Sequence, residues 1–278
     1  MAEADFHARI WGARGSVPAA PAEPSSYGAN TACVEVRCGS RTVVLDAGTG
    51  IVALGLSLLR RRRRDLDLFF THCHYDHIEG LPFFRPLHRP DWTVKLWAGH
   101  MAGRMSAREM VQGYMRQPYF PIGPDCFAAN VDYRDFSPGD ALELDGGIAV
   151  RTARLNHPGD AVGYRVDYRG HSICYVTDTE HVPGELDANV LDLIRDADAV
   201  IYDAAYTDED FARYAGYGHS TWQEGVRLCE TAGAKRLIAF HHRPDASDAA
   251  LAREERRLGR RLPGSVLARE GLTIVPGR

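Results

Sequence analysis

Thr71-His72-Cys73-His74-Tyr75-Asp76-His77 follows directly on the apolar run over residues 66–71. Three histidines and an aspartate fall within a span of six residues. Side chains alternate along an extended segment, so His72, His74 and Asp76 are expected to point one way. His77 is expected to turn inward as the chain enters its next element. A single histidine here would read as a packing residue. Four nitrogen and oxygen donors at this spacing read as a metal site, and suit two ions better than one. The apolar strand ahead of them is expected to be buried and to hold the loop rigid. Cys73, between two donors, is expected to face away and pack.

The rest of the composition narrows the function. The chain has 278 residues, 45% hydrophobic and 25% charged, an ordinary globular balance that excludes a largely disordered protein. Its net charge of −4 argues against adhesion to nucleic acid by bulk positive charge. No apolar run approaches the ~18 residues of a membrane span. The opening MAEADFHARIW has no apolar signal core, so a cytoplasmic location is expected. The six cysteines, Cys33, Cys38, Cys73, Cys126, Cys174 and Cys229, form no CxxC and are expected to be reduced.

Outward from the histidine cluster, apolar and alternating runs predict strands over 6–11, 33–37, 42–45, 66–71, 93–98, 148–155, 161–168, 172–177, 199–203, 236–240 and 272–275. Helices are expected over 51–59, 101–115, 190–195, 222–232 and 246–258. An exposed Pro/Ala/Ser-rich loop is expected over 16–27. Both halves of the chain read as strands followed by helices interleaved with single strands. Two packed sheets with helices outside is the economical layering. No stretch reads as a linker, so residues 1–278 are expected to form one domain. The segment around 100–130, rich in Met, Tyr and Phe, is expected to be an inserted helical or lid element, with core or dimer packing as the plainer role.

THCHYDHIEG resembles the HxHxDH motif of the metallo-β-lactamase-fold hydrolases. Asn156-His157-Pro158-Gly159, Tyr175-Val176-Thr177-Asp178-Thr179 and Phe240-His241-His242 are similar to the family's later motifs, in the family's order. The resemblance implies a four-layer αββα sandwich. It implies that His72, His74 and His157 hold one metal and that Asp76, His77 and His241 hold a second, with Asp178 shared. His242 is the alternative to His241. Imidazole and carboxylate donors without thiolate suit Zn²⁺ first, with Mn²⁺ or Fe as alternatives. Two such ions would supply a bridging hydroxide as nucleophile, and Asp76 would also orient it.

Gly218-His219-Ser220-Thr221 resembles the histidine motif of the ribonuclease Z and phosphodiesterase branch. That resemblance makes His219 a substrate-phosphate contact and catalytic acid, with Asp203 orienting it. Arg14 and Asn30, flanking the Pro-rich loop, are candidate substrate contacts. The expected reaction is hydrolysis of a small phosphodiester, a 3′,5′-cyclic nucleotide being the specific expectation. Only residues 158–177 separate His157 from Asp178, too few for the RNA-gripping arm of ribonuclease Z, so a large RNA is disfavoured. The alternatives are an RNA or single-stranded DNA nuclease using Arg60–Arg64 as a docking strip, a carboxyl-ester, lactone or thioester hydrolase, and a metal-bound sensor without turnover. A solvated face is the plainer reading of the arginine run. A homodimer is compatible with this class.

Overall fold

The computed structural model describes residues 5–20 and 24–277. Of the loop expected over 16–27, positions 21–23 therefore lie outside the described residues, as does the start of the chain, 1–4.

The first sheet collects β1 (Phe6–Gly12), β2 (Cys33–Cys38), β3 (Arg41–Leu45), β4 (Asp65–Phe70), β5 (Thr93–Ala98) and β6 (Asn130–Asp135). The second collects β7 (Ala141–Leu144), β8 (Ile148–Leu155), β9 (Ala161–Tyr168), β10 (His171–Val176), β11 (Ala199–Asp203), β12 (Leu237–Phe240) and β13 (Val266–Leu267). The last strand, β14 (Thr273–Ile274), returns to pair with β1. The strand orders are β14-β1-β2-β3-β4-β5-β6 and β13-β12-β11-β10-β9-β8-β7. Both sheets are mixed: β3 to β6 run parallel in one and β10 to β13 in the other.

The two sheets meet over one apolar layer, in which Ile10, Val34 and Phe69 face Tyr164, Tyr175, Ile201 and Phe240. Helices cover the outer faces. On the first sheet α1 (Gly50–Leu58) and α3 (Ala107–Tyr114) bury Ile51, Leu54, Met110 and Val111 against Leu68 and Phe70. On the second, α4 (Ala188–Leu193), α6 (Trp222–Ala232) and α7 (Asp248–Arg261) bury Val190, Val226 and Leu251 against Val200 and Tyr202. The αββα sandwich is thus the fold. Strands covered on both faces read as unbroken apolar runs, which is why β3 and β4 stand out in the sequence.

The helix expected over 101–115 begins only at Ala107, where Ser106 and Glu109 close a reciprocal capping box. Gly103, at φ 78°, lies in the turn before it. Two short helices, α2 (Tyr75–Ile78) and α5 (Asp208–Phe211), complete the α-helices among the described residues.

Parallel strands bring their carboxyl ends to one edge of a sheet, and loops leaving that edge carry the chemistry. Here β4 delivers residues 71–77, β8 delivers Asn156 and His157, β10 delivers Thr177 and Asp178, and β12 delivers His241. The same edge receives 13–16 from β1 and Asp203 from β11.

Candidate dinuclear metal centre

Three groups of donors converge at this edge, the third being Asp178, Asp203, His219 and His241, which overlaps the second. His72, His74 and His157 form the first, and Asp76, His77, Asp178 and His241 the second, with the donor atoms of each group within 4.8 Å of one another. Asp178 stands between the first two. Its Oδ1 lies 3.8 Å from His72 Nε2 and 3.8 Å from His157 Nε2, and 3.3 Å from His241 Nε2. Its Oδ2 lies 3.1 Å from His77 Nε2. Asp76 Oδ2 lies 3.2 Å from His77 Nε2 and 3.1 Å from His241 Nε2.

The local chain differs from the expectation at one point. The extended segment ends at His74, and Asp76 and His77 sit on α2. Helical turn, not strand alternation, brings Asp76 round to the site. Asp178 (φ 58°) and His241 (φ 62°) adopt left-handed backbone, which turns a strand-end side chain back into the gap between the sheets. Such conformations cost free energy and persist where surrounding structure enforces them.

These residues fit metal ions on the structure's own terms. His72 Nε2 and His77 Nε2 are buried and make no hydrogen bond among the described residues, although carboxylate oxygens stand close by. Nitrogens and carboxylates that converge without hydrogen-bond geometry face a common point, as ligands of a cation do. Two of the remaining ring nitrogens have fixed partners. His77 Nδ1 lies 2.8 Å from Asp46 Oδ2, and His157 Nδ1 lies 2.7 Å from the Gly218 carbonyl. These bonds fix the tautomer that leaves Nε2 free to bind.

The charge also fits. Burial pulls His77 down, but Asp178, Asp76 and Asp46 outweigh it and hold the imidazole protonated well above its usual range. Burial pushes Asp178 up, and His241 and His77 overcome this to hold it well below the carboxylate range. Three carboxylates around one imidazole are a surplus of negative charge that divalent cations would neutralise. His72, by contrast, is pushed well down by burial and by its neighbour His77, as a neutral ligand must be.

His219 belongs to the third group, with Asp203 and with Asp178 and His241 of the second. Its Nδ1 is 2.9 Å from Asp203 Oδ2 and 3.7 Å from Asp178 Oδ1. Burial lowers it, but Asp203, with Asp178 and Asp76 beyond, lifts it to about 9. Asp203 has no exposure and is held at the end of β11, where its Oδ1 also accepts the Ala205 amide. With Nδ1 turned to Asp203, Nε2 is presented on the other side of the ring. Thr221, two residues on, caps α6 by accepting the Glu224 amide.

Arg14 does not reach the centre. It is 1% exposed, and its guanidinium donates to the carbonyls of Gly28, Arg243 and Ala246 and to Ser25 Oγ. A guanidinium suits phosphate, but this one is enclosed by backbone acceptors and clamps three chain segments. Asn30 is likewise a brace: its Nδ2 and its amide both donate to Glu270 Oε1. His242 turns away, donating Nε2–H to the Ala268 carbonyl at 2.8 Å. Cys73 packs with the outer apolar layer of the first sheet.

Several residues of the site escaped the sequence reading. Asp46, read as part of a glycine turn, accepts from Thr71 N, Thr71 Oγ1 and Tyr175 OH as well as meeting His77. The Ser16 amide donates to Asp76 Oδ2 at 2.8 Å. A Cβ on Gly15 would lie 2.0 Å from His241 Cε1, so only glycine leaves room for that ring. Glu180 accepts the amides of Gly216 and Gly218 and so pins the loop that carries His219. An aromatic rim flanks His219: Tyr206 lies 6.1 Å from it, Tyr214 stacks on Tyr206 at 4.5 Å, and Tyr217 meets Tyr214 edge-on at 6.0 Å. Met110, Val111 and Met115 of the 100–130 segment are buried under the first sheet, and Tyr114 lies 6.3 Å from Tyr75 beside the histidine loop.

Comparison with known proteins agrees with this architecture. The Beta-lactamase superfamily domain matches residues 41–242. Ribonuclease Z of Gemmatimonas aurantiaca is 31% identical over 296 residues, covering 84% of this chain and 86% of that protein. Among solved structures, the metallo-beta-lactamase fold protein YhfI from Bacillus subtilis superposes with a TM-score of 0.72 at 18% identity, over 96% of this chain and 98% of that one. A diphosphatase from the PhnP family superposes with a TM-score of 0.71 at 21% identity, over 97% and 96%. The last two speak to fold alone. Since the matched span runs from β3 through His242 and takes in every donor described above, the chain belongs to the beta-lactamase superfamily.

Proposed function

We propose that this protein is a dinuclear metal-dependent phosphodiesterase. The observation that carries the reading is His219: an imidazole fixed by Asp203 at 2.9 Å and standing 3.7 Å from the shared Asp178. His72, His74 and His157 would hold one ion, Asp76, His77 and His241 the other, and Asp178 both. Zn²⁺ suits this donor set best, with Mn²⁺ or Fe as alternatives. When bound, the pair of ions supplies a nucleophilic water at neutral pH and positive charge for the phosphoryl oxygens.

The chain's own residues do the rest. Asp76, steadied by the Ser16 amide, is placed to orient the nucleophile. His219 Nε2–H stabilises the charge that develops on the phosphoryl group or protonates the leaving oxygen. Asp203 keeps the imidazole in the required orientation. Of the Tyr206–Tyr214–Tyr217 rim, the exposed Tyr217 ring offers a surface for a nucleobase, which favours a nucleotide ester.

Relatives named ribonuclease Z support RNA as the substrate, so the order expected from the sequence is reversed and RNA becomes the leading reading. A small cyclic nucleotide is the second. It is favoured by the His157–Asp178 connection, which is only the β9–β10 hairpin, and by the basic residues Arg104 and Arg154, both spent on Asp160. The test is turnover of a panel containing precursor RNA, short RNA, 3′,5′-cyclic nucleotides, bis-p-nitrophenyl phosphate and nitrocefin, with Zn²⁺ or Mn²⁺. Hydrolysis confined to phosphodiesters is expected. Turnover of nitrocefin with none of phosphodiesters would overturn the assignment.

A further inference from the structure

A cavity of about 730 Å³ is lined in part by residues 181 and 183–186, which follow Asp178. None of the seven donors lines it. Its walls come from His181 and the residues just after it, from α5 and from α6. His181 stacks on Phe211 with ring centroids 4.0 Å apart, and Leu186 adds an apolar wall. His181 Nδ1 pairs with Ser220 Oγ at 2.8 Å, one residue from His219.

The decisive group is Glu224. Its side chain is 4% exposed and it lines the cavity. Oε2 accepts Arg227 Nε at 2.6 Å, but Oε1 is buried and has no hydrogen-bond partner among the described residues. A buried carboxylate oxygen without a donor costs free energy, and such groups are normally paired. Arg227 cannot serve both oxygens, because its other two nitrogens are committed to Asp208. Glu185 and Glu230 stand on the lining as well, so four carboxylates surround one guanidinium there. Arg261, from outside the cavity, pairs with Glu230. The lining therefore keeps a surplus of negative charge beside flat apolar walls.

We infer that this cavity binds a small organic cation with an ammonium or guanidinium head, whose N–H groups pair with Glu224 Oε1 while its apolar body lies against Phe211 and Leu186. Burial pulls His181 below its ordinary range, which disfavours a positive charge on the aromatic wall. The site is distinct from the metal centre, and binding there does not depend on what the enzyme hydrolyses.

Agmatine is the probe. Titrated by calorimetry into the metal-loaded protein at fixed ionic strength, it is expected to bind saturably at one site. Glu224→Gln should weaken binding at least tenfold. Thr231→Lys places an ammonium two helical turns along the same face, from an exposed position lining the cavity, and should abolish binding. Both variants should keep their metals. Absence of saturable binding to the parent protein, or equal affinity in both variants, would overturn the inference.

Discussion

Asp46 stands behind the donors, and five contacts converge on its carboxylate. It accepts from Thr71 N at 2.7 Å, from Thr71 Oγ1 to both oxygens, and from Tyr175 OH at 3.0 Å, and it holds His77 Nδ1 at 2.8 Å. Partners of a metal-binding imidazole typically carry 10–100-fold in metal affinity. Asp46→Asn is therefore expected to lower affinity at the second ion by about that factor, read by competition with a chromogenic chelator. Unchanged affinity would mean that His77 needs no such support. His219→Gln separates a catalytic group from a ligand. It should keep both ions, while kcat falls by about 10²–10³, the usual cost of removing one transition-state donor. Loss of an ion in that variant would make His219 a ligand. For Arg14→Ala, three buried carbonyls lose their donor. The expected cost is about 3 kcal/mol of stability in a denaturant titration. KM measured well below the melting temperature should not move. A raised KM with intact stability would return Arg14 to the substrate.

At the scale of elements, the 13–16 segment after β1 and the β12 end depend on each other. The Gly15 amide donates to the His242 carbonyl, and the His241 ring occupies the space a Gly15 side chain would need. Gly15→Ala is expected to displace His241 and reduce bound metal from about two ions to about one per chain in elemental analysis. Two ions and full turnover in that variant would show that the ring has room elsewhere. The same pairing explains what could be read from the chain and what could not. His72 to His77 are adjacent in sequence, from the end of β4 into α2, and the strands around them are buried on both faces, so the donor cluster stood out although the helical turn at Asp76 did not. Arg14 could not be read correctly, because the carbonyls that enclose it come from residues 28, 243 and 246. Asp46 was hidden in a glycine turn, since its partner Tyr175 is 129 positions away. Edge strands β6 and β7 were missed because only half of such a strand is covered, and NVDYRD and ALEL carry too few apolar residues to stand out. The 101–115 helix was read too long, since Met residues through the turn at Gly103 mimic a helical stripe.

Across the whole molecule, two sheets are pinned together by the groups that would hold the ions: His72 to His77 hang from the first, and His157, Asp178 and His241 from the second. Metal binding at such a junction adds to folding stability. Removing the ions with a chelator should lower Tm, and Zn²⁺ or Mn²⁺ should restore it. The measurement that tests the account most directly is a metal-edge anomalous diffraction map of the purified active protein, paired with elemental analysis of Asp178→Ala. The account predicts two peaks about 3.5–4 Å apart on either side of Asp178, and joint loss of metal and phosphodiesterase activity in the variant. A fully active protein with no ion between these residues, or a variant that keeps both metal and turnover, would contradict it.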